Sequence, residues 1–172
     1  MSGSKKLVKS DIRVLVDTAL RADKNLIGSG MWVDDNREHC KNWARLIEID
    51  GEIQNIQLLI KYHTNDDNLK FRILLNVPQC VWRMDFADED HPNPLNAPFR
   101  PGEIISGPHY HSWADNRQYA HANILPKKLH SARPLHQEVG TFQSAYRWFC
   151  QQTNIQCKDA EIPTLPVKDR LI

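Results

Sequence analysis

The stretch Trp43-Ala44-Arg45-Leu46-Ile47-Glu48-Ile49-Asp50-Gly51-Glu52-Ile53-Gln54-Asn55-Ile56-Gln57-Leu58-Leu59-Ile60-Lys61-Tyr62 decides the fold. Two runs rich in aliphatic and aromatic residues flank Asp50-Gly51. An Asp-Gly pair tolerates the positive φ values that a two-residue hairpin turn demands, so the runs predict antiparallel strands over 43–49 and 53–62. Beyond the polar turn Asn65-Asp66-Asp67-Asn68, residues Leu69 to Val77 predict a third strand with Phe71, Ile73 and Leu75 on one face, ended by Pro78. Residues Cys80 to Ala87 predict a fourth. Period-two alternation puts Val81, Arg83 and Asp85 on one of its faces and Trp82, Met84 and Phe86 on the other. The Trp82 face is expected to pack on the core, leaving Arg83 and Asp85 exposed or lining a pocket.

Helical periodicity appears at both ends of the chain. Ser10 is the expected N-cap of a helix over 11–23, with Asp11 in the first turn and Ile12, Leu15, Val16, Ala19 and Leu20 as its apolar stripe. Phe142, Ala145, Tyr146, Phe149, Cys150 and Thr153 make the stripe of a second helix over 137–152. Between them, Glu103 to Trp113 and Arg117 to Leu125 read as the last two strands, and Pro126 to Pro134 as a basic connection. Runs of strands between terminal helices give an α+β class, with an antiparallel sheet of about six strands flanked by an N-terminal and a C-terminal helix. With 172 residues the chain reads as a single domain over 1–157, followed by a loosely ordered, proline-containing tail over 158–172.

Composition narrows the function classes. Twenty-two basic residues against 21 acidic ones give a net charge of +1, so bulk charge implies neither nucleic acid nor membrane. No apolar run reaches the roughly 18 residues of a membrane span. Met1-Ser2-Gly3-Ser4-Lys5-Lys6 lacks the apolar core of a signal peptide. Cys40, Cys80, Cys150 and Cys157 are scattered, with no C-x-x-C pair. These features read as a cytoplasmic protein with reduced thiols and no membrane partner.

The chemistry-bearing residues lie between Val81 and Tyr119. Six of the eight histidines fall between His91 and His136. On a strand, His109 and His111 share a face about 6–7 Å apart, as do Arg83 and Asp85. If the two strands are neighbours, all four side chains share one face. His91 would arrive from the loop 88–101, whose four prolines are Pro92, Pro94, Pro98 and Pro101. Two histidines with an arginine and an aspartate supply a base, an acid and anion stabilisation for phosphodiester cleavage without metal or cofactor. On that reading the catalytic set is His109, His111, Arg83, Asp85 and His91. Arg117, Tyr119, Trp113 and Lys127 would bind the substrate, an RNA, and the protein would be a toxin- or defence-type ribonuclease. A second reading is a non-catalytic binding module with an RNA or protein partner, such as a phage-type inhibitor. A third is an H-x-H metal enzyme with Asp115 or His121 as an additional ligand. Gly102, His109, His111 and Asp115 echo a cupin metal motif, with the glycine spacing off by one and an aspartate in place of glutamate.

The order Arg83-Met84-Asp85, His91-Pro92-Asn93-Pro94, Pro108-His109-Tyr110-His111, Tyr119-Ala120 and a short aromatic closing helix resembles a family of small uncharacterised bacterial proteins. The resemblance covers about residues 43 to 152 by motif order. It implies a shared site and a bacterial or phage-related origin, and carries no activity. The longer proline loop and Tyr119 in place of a tryptophan depart from the family pattern.

Overall fold

The computed structural model describes residues 11–65 and 68–167. Its elements are α1 (Ile12–Arg21), β1 (Asn25–Ile27), β2 (Trp32–Asp34), β3 (Cys40–Ile49), β4 (Glu52–His63), β5 (Phe71–Val77), β6 (Gln79–Phe86), β7 (His91–Pro92), β8 (Ile104–Ile105), β9 (His109–His111), α2 (Trp113–Asn116), β10 (Arg133–Pro134) and α3 (Phe142–Gln152). Eight strands form one sheet in the order β1-β3-β4-β5-β6-β9-β10, with β2 also pairing with β3. The named pairings in this sheet are all antiparallel. The architecture is α+β, with helices near both ends of the chain.

The hairpin turn forms where Asp50-Gly51 predicts it. Both residues have positive φ, 52° and 80°, and Ile49 pairs with Glu52 across the turn. The register then carries one apolar row through the sheet, Trp43 beside Ile60, Ile73, Met84 and Tyr110. α3 lies over that face. Its rings meet the sheet edge to face: Trp43 with Tyr146 at 6.3 Å, Phe71 with Phe142 at 5.1 Å, Trp82 with Phe149 at 5.1 Å. Thr141 starts α3 with a capping box shared with Ser144. Val16 of α1 is fully buried in the same core. Lys24, also fully buried, ties the two helix ends together by donating to the carbonyls of Leu20, Ala22 and Thr153 at 3.1, 2.7 and 2.9 Å. Ser10 lies outside the described residues, and Asp11 caps α1 by accepting from the Arg13 amide at 2.9 Å.

Two expectations are corrected. Glu103 to Trp113 is not one strand. Gly107, with φ 76°, breaks it into β8 and β9, and β8 leaves the main sheet to pair with β7 in a separate two-stranded one. Arg117 to Leu125 is not a strand at all. Ser112 accepts a hydrogen bond from the Asp115 amide at 3.2 Å and starts α2, an internal helix continued by a 3-10 turn over Arg117–Tyr119. Capping chemistry overrides strand propensity there, and β10 takes the edge of β9 instead. The sheet is accordingly larger than six strands. Among the described residues no helix is long and apolar enough to cross a membrane.

Candidate metal centre

β6 and β9 pair with Arg83 opposite His111 and Asp85 opposite His109. Trp82 and Tyr110 stack on the α3 side of these strands. Alternation therefore turns Arg83, Asp85, His109 and His111 to the other face. β5 places Arg72 opposite Asp85. The Asp85 side chain is only 2% exposed and sits between two guanidiniums. Its Oδ2 accepts from Arg83 Nε at 2.6 Å, and Arg72 Nε stands 2.5 Å from Oδ1, at ion-pair distance but without hydrogen-bond geometry. Burial pushes the Asp85 carboxyl up, but the guanidiniums of Arg83 and Arg72 hold the group well below the usual carboxylate range.

The pairing of β7 with β8 folds the proline loop back over this face and delivers His91. The His91 ring centroid lies 4.6 Å from that of His111 and 5.4 Å from that of His109, which are 5.2 Å from each other. One nitrogen from each of the three rings falls within 4.8 Å of the other two. His109 and His111 are buried and His91 is partly exposed. Burial pushes the His91 imidazole below its ordinary value and the His111 imidazole down to about 4, so both are neutral at pH 7.

Backbone carbonyls orient all three rings. His91 Nε2 donates to the His130 carbonyl at 2.8 Å, His109 Nδ1 to that of Gly107 at 2.8 Å, and His111 Nδ1 to that of Ser131 at 3.0 Å. Each hydrogen bond fixes a tautomer and leaves the other ring nitrogen with its lone pair. Those of His109 and His111 both face Asp85 Oδ2, at 3.6 and 3.4 Å. Acceptors facing acceptors call for a cation between them. Arg83 supplies part of that charge, with a terminal nitrogen 2.8 Å from His111 Nε2.

The segment carrying the His130 and Ser131 carbonyls is itself held in place by two buried asparagines. Asn116 donates to the carbonyls of Ser112 and Ser131 and accepts from the amides of His130 and Ser131. Asn93 donates to the carbonyls of Phe99 and Ala132 and accepts from the Ala132 amide at 2.8 Å. The segment 130–132 is thereby clamped from both sides. Sequence reasoning missed this layer. The His91-Pro92-Asn93-Pro94 run was visible, but the hydrogen-bond partner of Asn93 lies 39 residues away. Asn93→Ala should strand the Ala132 amide and the Phe99 carbonyl, lowering stability by about 2 kcal/mol. Urea denaturation beside the wild type measures that loss, and equal midpoints would remove Asn93 from the scaffold.

Other residues singled out by sequence are placed differently. Tyr119 packs beside the clamped segment, its hydroxyl 2.9 Å from Ser131 Oγ and its ring 4.9 Å from that of His130. Trp113 and Arg117 both bond Asp17 of α1, on the helix side of the sheet. Lys127 is an exposed side chain of the connection after Leu125. Asp115 is not available as a ligand, because Arg133 grips it at 2.7 and 2.8 Å and Ser112 donates to it at 3.0 Å. His121 is exposed in a turn closed on Ile124. The third histidine of the cluster is His91. This corrects the functional expectation: three converging imidazoles capable of coordinating an ion argue against a metal-independent mechanism, and the metal-independent ribonuclease of toxin or defence type falls with it. Comparison with protein-family models, with curated proteins and with solved structures finds no match for this chain.

Proposed function

We propose that this protein is a metal-dependent hydrolase acting on an anionic substrate, with one divalent first-row ion held by His91, His109 and His111. One observation carries the reading: each histidine gives one ring nitrogen to a backbone carbonyl, and one nitrogen from each ring falls within a common 4.8 Å. Three imidazole ligands suit zinc, iron, nickel or copper. Structural zinc sites close with four protein ligands, whereas three leave a position open for chemistry. An ion so held lowers the pKa of water and supplies a nucleophile near neutral pH.

The chain's own residues supply the rest. Asp85, kept ionised, offsets part of the ion's charge. Arg83 and Arg72 have side chains 25% and 35% exposed, so both reach from the buried carboxylate toward solvent. With an ion held by His91, His109 and His111, Arg83 would turn its terminal nitrogen away from His111 while its Nε stays on Asp85. The freed N–H groups then face an incoming anion, for which a guanidinium is suited.

Metal analysis of the purified protein, run beside two aryl esters sharing one leaving group, tests this reading. The expected result is about one equivalent of ion per chain, lost in His109→Ala. Hydrolysis of the phosphate ester should exceed that of the neutral ester and fall by about a hundredfold or more on chelation. Protein that retains no ion after incubation with zinc, iron, nickel or copper, or hydrolysis indifferent to chelator, would overturn it.

A further inference from the structure

A cavity lies on the helix side of the same two strands. It measures about 800 Å³ and opens between α1, α2 and the sheet. Alternation along β9 creates it: His109 and His111 face one way and Tyr110 the other. Tyr110 stacks on Trp82 with ring centroids 5.3 Å apart and planes within 5°, and Trp113 adds a third aromatic wall. Arg21, Arg117 and Arg133 stand around these rings.

The hydrogen bonds decide which charge the cavity accepts. Asp17 takes bonds from Trp113 Nε1 at 2.7 Å and from two nitrogens of Arg117 at 2.9 to 3.0 Å. Asp115 takes two from Arg133 and one from Ser112. Both carboxylates are engaged, so a cationic ligand would meet acceptors already in use. Arg117 and Arg133 each spend Nε and one terminal nitrogen, which leaves the other terminal nitrogen with two N–H donors. Arg21 is exposed, and its Nε donates to the Asp17 carbonyl while its terminal nitrogens remain. Three arginines against two aspartates leave the lining with net positive charge. The volume falls within the range of small-molecule sites, in which apolar walls hold a ligand and a few polar groups orient it.

We propose that this cleft binds a small ligand joining a planar aromatic ring to an anionic group, the chemistry of a nucleoside monophosphate. The aromatic walls take the ring, and the unspent guanidinium edges take the phosphate. The site is distinct from the histidine cluster and stands whether or not that cluster binds metal.

Calorimetric titration of the full chain with adenosine monophosphate, adenosine and inorganic phosphate tests it. The monophosphate should bind at least about tenfold more tightly than either fragment, because both halves of the site contribute. Arg21→Ala and Arg117→Gln should each weaken it by about tenfold, the effect of losing one charge-assisted hydrogen bond. Arg117→Gln also releases Asp17, so Ala114→Trp provides a second route: Ala114 is an exposed lining residue, and an indole there should block binding while the fold, followed by circular dichroism, persists. His91→Ala should leave the affinity unchanged, which separates this cleft from phosphate held at a metal. No saturable binding, binding no tighter than adenosine alone, or binding lost in His91→Ala but kept in the arginine and Ala114 variants would overturn the proposal.

Discussion

With zinc at a thousandfold excess over its dissociation constant, the wild-type protein should melt roughly 8–16 °C higher than after chelation, and His111→Ala should show no such rise. Ligand that binds only the folded state stabilises it by about 4 kcal/mol at that excess. For a chain of this size each kcal/mol moves the midpoint by about 2–4 °C. His111 is the most informative position because its side chain is completely buried and its Nδ1 is tied to the Ser131 carbonyl. Removing it lowers the baseline as well, since that carbonyl loses one of its two donors and a buried ring is lost, so the comparison is each protein with and without metal. Differential scanning calorimetry gives both numbers. An equal rise in wild type and variant would place the ion elsewhere, and no rise in either would remove the metal centre.

The second large effect falls on Asp85. Asp85→Asn keeps the volume and removes the charge that two guanidiniums share. Breaking a buried ion pair from one side costs about 3–5 kcal/mol when the partner charge stays buried. Arg72 and Arg83 keep 35% and 25% of their side-chain surface in solvent, so about 3 kcal/mol is expected here. The wild type should also show an acid limb in chelator that the variant lacks. Asp85 has its folded pKa depressed. Its stabilisation is therefore fully present above the unfolded carboxylate value near 3.9 and is lost as pH falls through the folded value. Urea unfolding at neutral pH and below pH 4 checks both statements. An Asp85→Asn protein as stable as wild type at neutral pH would mean that the arginines are adequately solvated without it.

Local pattern made much of this molecule legible. Asp50-Gly51 set the hairpin because its conformational preference is intrinsic to those two residues. Alternation set the faces of β6 and β9, so Arg83 with Asp85 and His109 with His111 were paired from sequence, and the register then places the two pairs opposite each other. The stripes on α1 and α3 were readable for the same reason, with boundaries shifted by up to five residues where caps rather than apolar spacing end a helix. The stretch after His111 was misread because Ser112 is a strand-compatible residue whose capping role depends on the turn that follows it.

The α+β class, the long antiparallel meander and the side of each strand that carries its polar groups all follow from periodicities spanning a few residues. The candidate metal centre depends on contacts far apart in the chain. Two histidines on one strand are compatible with acid-base work or with metal. The choice rests on His91 arriving through β7, 18 residues before His109, and on lone pairs aimed by carbonyls 20 and 39 residues away from the rings they orient. Those carbonyls depend in turn on Asn93 and Asn116, whose hydrogen bonds close only when the loops have packed. Hydrogen-bond direction at a buried imidazole belongs to the assembled fold, because no local spacing specifies which distant acceptor will meet the ring.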